Sequence, residues 1–175
     1  MELSDPATSD HSREIADLAV LAGRRLGLSD TECAELELAA RFHDIGKVSV
    51  PSEILRKPGP LDDDEWQLMS RHAEWGAEML HYLPGCKPIA RIVRYHHERY
   101  DGGGYPDGLK GADIPFASRI IAVCDAYGAM VTNRPYRRAM HRVEALDELR
   151  RGSGSQFDPD VVAAVVKIAG PVEVD

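Results

Sequence analysis

Seven residues in this sequence combine reactive chemistry with suggestive spacing: His11, the pair His43-Asp44, His72, the pair His96-His97, and Asp125. Imidazole nitrogens and carboxylate oxygens, with no thiolate among them, form a donor set suited to iron, manganese, nickel, cobalt or zinc. A carboxylate can bridge two ions, and Asp44 beside His43 lets one stretch of backbone serve both. The ordinary alternative is a histidine that faces solvent or closes a core hydrogen bond. His81 and His141, outside the pattern, are expected to do just that. Spacing alone leaves a metal site and a set of unconnected histidines evenly matched.

The elements that must position these residues read as helices. Ile15, Leu18, Ala19, Ala22 and Leu26 recur at helical spacing over 11–26. Ser29 and Glu32 form a capping box that opens a second helix through Leu36, Ala39, Ala40 and His43. Asp62-Asp63-Asp64-Glu65 places carboxylates at the positive end of a third, running through Trp66, Met69, His72 and Met79. Pro88 starts a fourth that reaches His96-His97, and Pro115 a fifth through Ile120, Val123, Ala126 and Met130. Two shorter helices are expected near 143–150 and 160–168. The β-branched segments 47–50 and 120–123 are too short and isolated to build a sheet. Trp66, Trp75 and Phe42 are expected in the core, and Cys124 as a packed small hydrophobe. Ligands projecting inward from several facing helices suit a bundle. The expectation is an all-α, single-domain helical bundle of about seven helices spanning 1–175, without a separate regulatory domain.

Composition narrows the partners. The chain has 175 residues, 43% hydrophobic and 29% charged, and a formal net charge of −8. That balance excludes broad binding to nucleic-acid polymers or anionic membrane surfaces, while leaving room for a small anion at a local positive site. No apolar run approaches the ~20 residues of a membrane span. The N-terminus lacks the pattern of a secretory signal. Three widely spaced cysteines, Cys33, Cys86 and Cys124, fit reduced thiols and a cytoplasmic location.

Longer motifs are more specific. His43-Asp44-Ile45-Gly46-Lys47 is followed by His96-His97-Glu98-Arg99-Tyr100-Asp101-Gly102-Gly103-Gly104-Tyr105-Pro106, then by Ile114-Pro115, Arg119 through Tyr127, Arg134-Pro135-Tyr136-Arg137 and Gln156-Phe157-Asp158-Pro159. This ordered series, from His11 to Pro159, resembles the HD-GYP branch of the HD-domain phosphohydrolases. The resemblance implies an all-helical fold and a phosphodiesterase that opens cyclic di-GMP to pGpG and, in some members, continues to GMP. It implies metal roles for His11, His43, Asp44, His72, His96, His97 and Asp125. His11, His43, Asp44 and Asp125 would form one site, and His72, His96 and His97, with Asp44 bridging, the other. Iron is the first expectation for the two divalent ions, with manganese, nickel, cobalt and zinc as alternatives. Some members add a third metal through a Glu four residues before the first His. That position is Ala7 here, which implies two. Gly128 stands where many relatives have Asp.

The implied chemistry is hydrolysis by a hydroxide bridging two ions about 3.5–4 Å apart. Two divalent ions less Asp44 and Asp125 leave a charge that balances the two phosphodiesters of cyclic di-GMP. Asp44 and Lys47 are the candidate catalytic residues, Lys47 to hold the nucleophile or a phosphate oxygen or to protonate the leaving oxygen. Lys47, Gly104, Tyr105, Pro106, Arg134 and Arg137 are the candidate substrate contacts, the arginines as bidentate phosphate ligands. A competing reading keeps the fold but makes the domain a cyclic di-GMP receptor or a docking partner of diguanylate cyclase (GGDEF) domains. Ala7, Gly128 and the lack of an input domain motivate it. A homodimer is one oligomeric state open to the chain.

Overall fold

The computed structural model describes residues 6–133 and 138–170, with side chains from Ser12 onward. Its described residues form nine α-helices: α1 (Pro6–Arg25), α2 (Asp30–Phe42), α3 (Ser52–Leu55), α4 (Asp63–Ser70), α5 (His72–His81), α6 (Lys87–Arg94), α7 (Phe116–Val131), α8 (Arg142–Arg151) and α9 (Pro159–Ala169). Two 3-10 turns, Ile45–Ser49 and Gly111–Asp113, complete the order. No strand occurs among the described residues, and none of their helices is long and apolar enough to cross a membrane.

Small residues let the helices approach closely. Ile15, Ala16, Ala19 and Ala22 bury one stripe of α1 against α2, α7 and α9. From α2, Leu36, Ala39 and Ala40 enter the same core. Ile120, Ile121, Val123 and Cys124 on α7, and Val161, Val162 and Val165 on α9, close it. Burying a side chain such as Ile15 or Leu36 contributes about 1.5–3 kcal/mol. The ends of the helices are chemically marked. Ser29 accepts the Glu32 N–H while Glu32 returns a bond to the Ser29 N–H, the expected capping box. Asp62 and Glu65 do the same for α4. Asp158 caps α9 and also pairs with Arg119 on α7, 2.5 Å away, joining two core helices. His141 is used structurally, as the N-cap of α8.

Four expectations are corrected. The expected third helix is two, because 62–79 divides at Arg71 into α4 and α5; with the short α3 added, the about seven expected helices become nine. The Met69 carbonyl accepts both the Arg71 N–H and Nδ1 of His72, which draws it out of a continuous ladder. The second helix stops at Phe42, and the following residues wind into a 3-10 turn. The fourth ends at Arg94, so His96 and His97 lie beyond it. Trp66 and Phe42 are not core: they are 52% and 41% exposed. An indole buries 150–250 Å² when enclosed, so leaving half in water forgoes about 2–3 kcal/mol. Trp75 is half-buried beneath Arg71.

One close approach organises the site. Gly46 lies directly on the start of α5: a Cβ there would stand 2.0 Å from the His72 carbonyl oxygen and 2.5 Å from the Gly76 nitrogen. Only glycine lets the turn after Asp44 touch the helix that carries His72.

Candidate metal centre

Three imidazoles are held in the same way. His43, His72 and His96 follow the ends of α2, α4 and α6, and each ring bonds back to a last-turn carbonyl three residues earlier. His43 Nδ1 lies 2.7 Å from the Ala40 oxygen, His72 Nδ1 2.7 Å from Met69, and His96 Nδ1 2.6 Å from Val93. These carbonyls belong to the set a helix leaves without intrahelical partners. A carbonyl only accepts, so each Nδ1 carries the proton and each Nε2 carries a lone pair. All three rings are almost fully buried.

The Nε2 atoms converge on Asp44. His43 Nε2 is 3.5 Å from Asp44 Oδ2, and His72 Nε2 is 3.5 Å from Oδ1, so the two carboxylate oxygens face different imidazoles. His72 Nε2 lies 3.4 Å from His96 Nε2 and 3.1 Å from His97 Nε2. One donor atom each from Asp44, His72, His96 and His97 falls within a 4.8 Å span, close enough to hold a metal ion. On the other side of Asp44, Asp125 on α7 sets Oδ1 3.9 Å from His43 Nε2. His11 belongs to α1, but its side chain lies outside the described residues. Asp44 and five of the other six expected donors therefore come together.

The donor chemistry fits a cation. With both Nδ1 atoms committed to carbonyls, the facing Nε2 atoms of His72 and His96 have no proton between them. Two buried lone pairs at 3.4 Å are stabilised only by something positive. Protonation is unfavourable here. Burial lowers the His72 imidazole despite the Met69 bond and the Asp44 charge. Burial and the neighbouring histidines hold His96 well below its ordinary value. Burial and His72 lower His97 to about 3. Burial pushes the Asp44 carboxyl upward, but the Lys47 charge and hydrogen bond oppose it and the carboxyl sits well below the usual range. Neutral imidazoles around an ionised carboxylate are the protonation state that metal binding requires.

Around this cluster sit the other expected residues. Lys47 places Nζ 2.6 Å from Asp44 Oδ2. Tyr105 lays its ring beside His97, centroids 4.9 Å apart, and burial together with Asp44 and Asp125 raises its phenol, keeping it protonated. Its peptide bond to Pro106 is cis. Gly104 uses its missing Cβ against the protein itself: a methyl there would meet the Arg99 nitrogen at 2.3 Å and the His97 oxygen at 2.6 Å. Arg134 and Arg137 lie outside the described residues. Sequence reasoning missed Glu98. This buried carboxylate accepts the Asp107 N–H at 2.8 Å through Oε1, while Oε2 has no hydrogen-bond partner among the described residues. Asp107 is also gripped by Arg94 at the end of α6. The loop bearing Tyr105 is thus fastened to the residue next to His97. The available signal was an acid placed between a histidine pair and a glycine-rich loop.

Known proteins match this arrangement. A family model described as "HD domain" matches residues 1–161. A cyclic di-GMP phosphodiesterase response regulator of Xanthomonas campestris is 41% identical over 169 residues, covering 95% of this chain and 45% of the relative. A 3'3'-cGAMP-specific phosphodiesterase of Vibrio cholerae is 38% identical over 167 residues, covering 95% and 36%. The chain therefore spans less than half the length of these curated relatives. Among solved structures, an HDG"Y"P protein from Bdellovibrio bacteriovorus superposes with a TM-score of 0.75 at 20% identity, over 98% of this chain and 55% of the other, a likeness of fold.

Proposed function

This chain belongs to the HD-domain family, and we propose from that premise that it is a metal-dependent phosphodiesterase opening cyclic di-GMP to linear pGpG. The observation that carries the reading is the set of three buried imidazoles whose Nδ1 protons are spent on helix-end carbonyls, leaving their Nε2 lone pairs around Asp44. His72, His96, His97 and Asp44 would hold one divalent ion. His43, Asp44 and Asp125, completed by His11, would hold a second, with iron the first candidate for both. Such ions, when bound, supply Lewis acidity to phosphoryl oxygens and acidify water enough for it to ionise near neutral pH.

The chain's own groups do the rest. Asp44 orients both halves of the cluster through its two oxygens. The Lys47 ammonium, tethered to Asp44, can turn to a non-bridging phosphate oxygen or donate its proton to the leaving ribose oxygen. Tyr105, protonated and fixed by the Glu98–Asp107 anchor, offers an O–H at the rim. Arg134 and Arg137 are assigned to the second phosphate. A second substrate reading, 3'3'-cGAMP, is favoured by the Vibrio cholerae relative.

The test pairs metal analysis of anaerobically purified protein with turnover of cyclic di-GMP, 3'3'-cGAMP and cyclic di-AMP. We expect two metals per chain and fastest production of pGpG. Protein that holds metals and binds cyclic di-GMP without forming product would replace this reading with a receptor. Protein that takes up no divalent ion would end it.

A further inference from the structure

Trp66 has no place in the core and none in the metal cluster. It stands on α4, a helix with no buried residue, and is 52% exposed. Single exposed aromatics are common, but the position of this one is not arbitrary. Its ring meets Tyr105 with centroids 6.0 Å apart and an interplanar angle of 83°. Tyr105 in turn lies against His97. The indole and phenol therefore form an open right-angled corner, one ring beyond a histidine of the cluster. The helix behind it is fixed by the Asp62–Glu65 capping box and by the ion pair of Lys57 with Glu65.

A nucleotide phosphodiester carries a base one ribose away from the phosphorus. When the phosphate is at the cluster, a base must fall within about that distance of it, and a flat, preformed aromatic wall is what a base recognises. We propose that Trp66 is the stacking platform for a purine base of the cyclic dinucleotide, with Tyr105 as the second wall. The inference rests on the phosphodiesterase reading above and adds a base subsite to it. Trp66 contributes to substrate binding and leaves the chemical step alone.

Base–aromatic stacking is worth about 5- to 150-fold in affinity. Trp66→Ala should raise KM for cyclic di-GMP within that range, leave kcat within about twofold, and leave cleavage of methyl p-nitrophenyl phosphate, a diester without a base, unchanged. Trp66→Phe should restore most of the loss. A binding readout independent of turnover uses Trp75→Phe, which leaves Trp66 as the sole indole. Its fluorescence should be quenched by a phosphorothioate analogue of cyclic di-GMP. An unchanged KM, or an equal loss on both substrates, would overturn the proposal. If wild-type protein cleaves the simple diester but no cyclic dinucleotide, the substrate reading fails on its own. Quenching of Trp66 then decides the base subsite: its presence sustains the proposal and its absence removes it.

Discussion

Gly46→Ala tests whether backbone contact between the turn after Asp44 and the start of α5 builds the metal centre. The added carbon would stand 2.0 Å from the His72 oxygen, against about 3.0 Å for the tightest real contacts, and the obstacle is backbone. The two segments must part by at least 1 Å. Asp44 lies two residues before Gly46, and the carbonyl struck belongs to His72 itself. Its Nε2 faces Asp44 Oδ1 at 3.5 Å. Coordination tolerates about ±0.2 Å, so a shift five times larger should lose the ion shared by these residues. Overpacking costs about 1–3 kcal/mol, which for a chain of this size lowers Tm by about 2–12 °C. Two controls grade the effect. Gly76→Ala enters the same interface but meets the Gly46 nitrogen at 3.2 Å and Ile45 Cγ2 at 3.3 Å, a squeeze of tenths of an ångström. It should weaken metal binding without abolishing it. Gly27→Ala, at φ +87° with nothing within 4 Å, should cost about 1–2 kcal/mol of backbone strain and leave the metals in place. The assay is elemental analysis with thermal melts before and after chelation. Wild-type stoichiometry and affinity in folded Gly46→Ala would refute the reasoning.

Four other outcomes follow from the same geometry. Asp44→Ala should strip both ions, because the residue faces both halves of the cluster; two metals per chain in that variant would show that Asp44 is no bridge. Lys47→Ala should keep the metals and slow kcat by about 10²–10⁴-fold if Lys47 acts as general acid, and an unaltered rate at saturating substrate would remove it from the chemistry. Glu98→Ala should cost about 1–3 kcal/mol by leaving the Asp107 N–H without its acceptor, with Glu98→Gln restoring much of it; equal melting of the Ala variant and wild type would mean the anchor is idle. Chelated protein should lose stability as pH falls below 6.5. His72, His96 and His97 are all lowered from 6.5 in the fold, so the unfolded chain binds protons there first. The slope approaches about 1.4 kcal/mol per pH unit for each histidine, and a Tm constant from pH 7 to 5 would contradict the buried neutral assignments.

What the sequence made legible was whatever local chemistry decides. The Ser29–Glu32 box and Pro115 mark helix starts that need no tertiary partner, and α2 and α7 begin there. The break at Arg71 was hidden because apolar periodicity runs through it. Its cause is an imidazole from the following residue competing for the Met69 carbonyl. Trp66 was misplaced because hydrophobicity argues for burial regardless of which helix carries the residue, and α4 happens to bury nothing. Convergence of the donors was the least local feature. No pattern within 44–96 states that Asp44, His72 and His96 meet; that reading came from the resemblance. The tautomers came only from carbonyl positions.

Those carbonyls give the centre its physical logic. A helix C-terminus carries partial negative charge and unpaired acceptors, which favour cations nearby. His43 and His96 relay the ends of α2 and α6 toward the cluster, each ring's N–H facing a carbonyl and its lone pair facing inward. His72 sits between the C-terminus of α4 and the N-terminus of α5, where the two dipole ends offset, and there the compensating charge is Asp44. A chain with net charge −8 would thus hold a cation by geometry and not by surplus acid: the helix ends orient the rings, and Gly46 brings Asp44 close to the third.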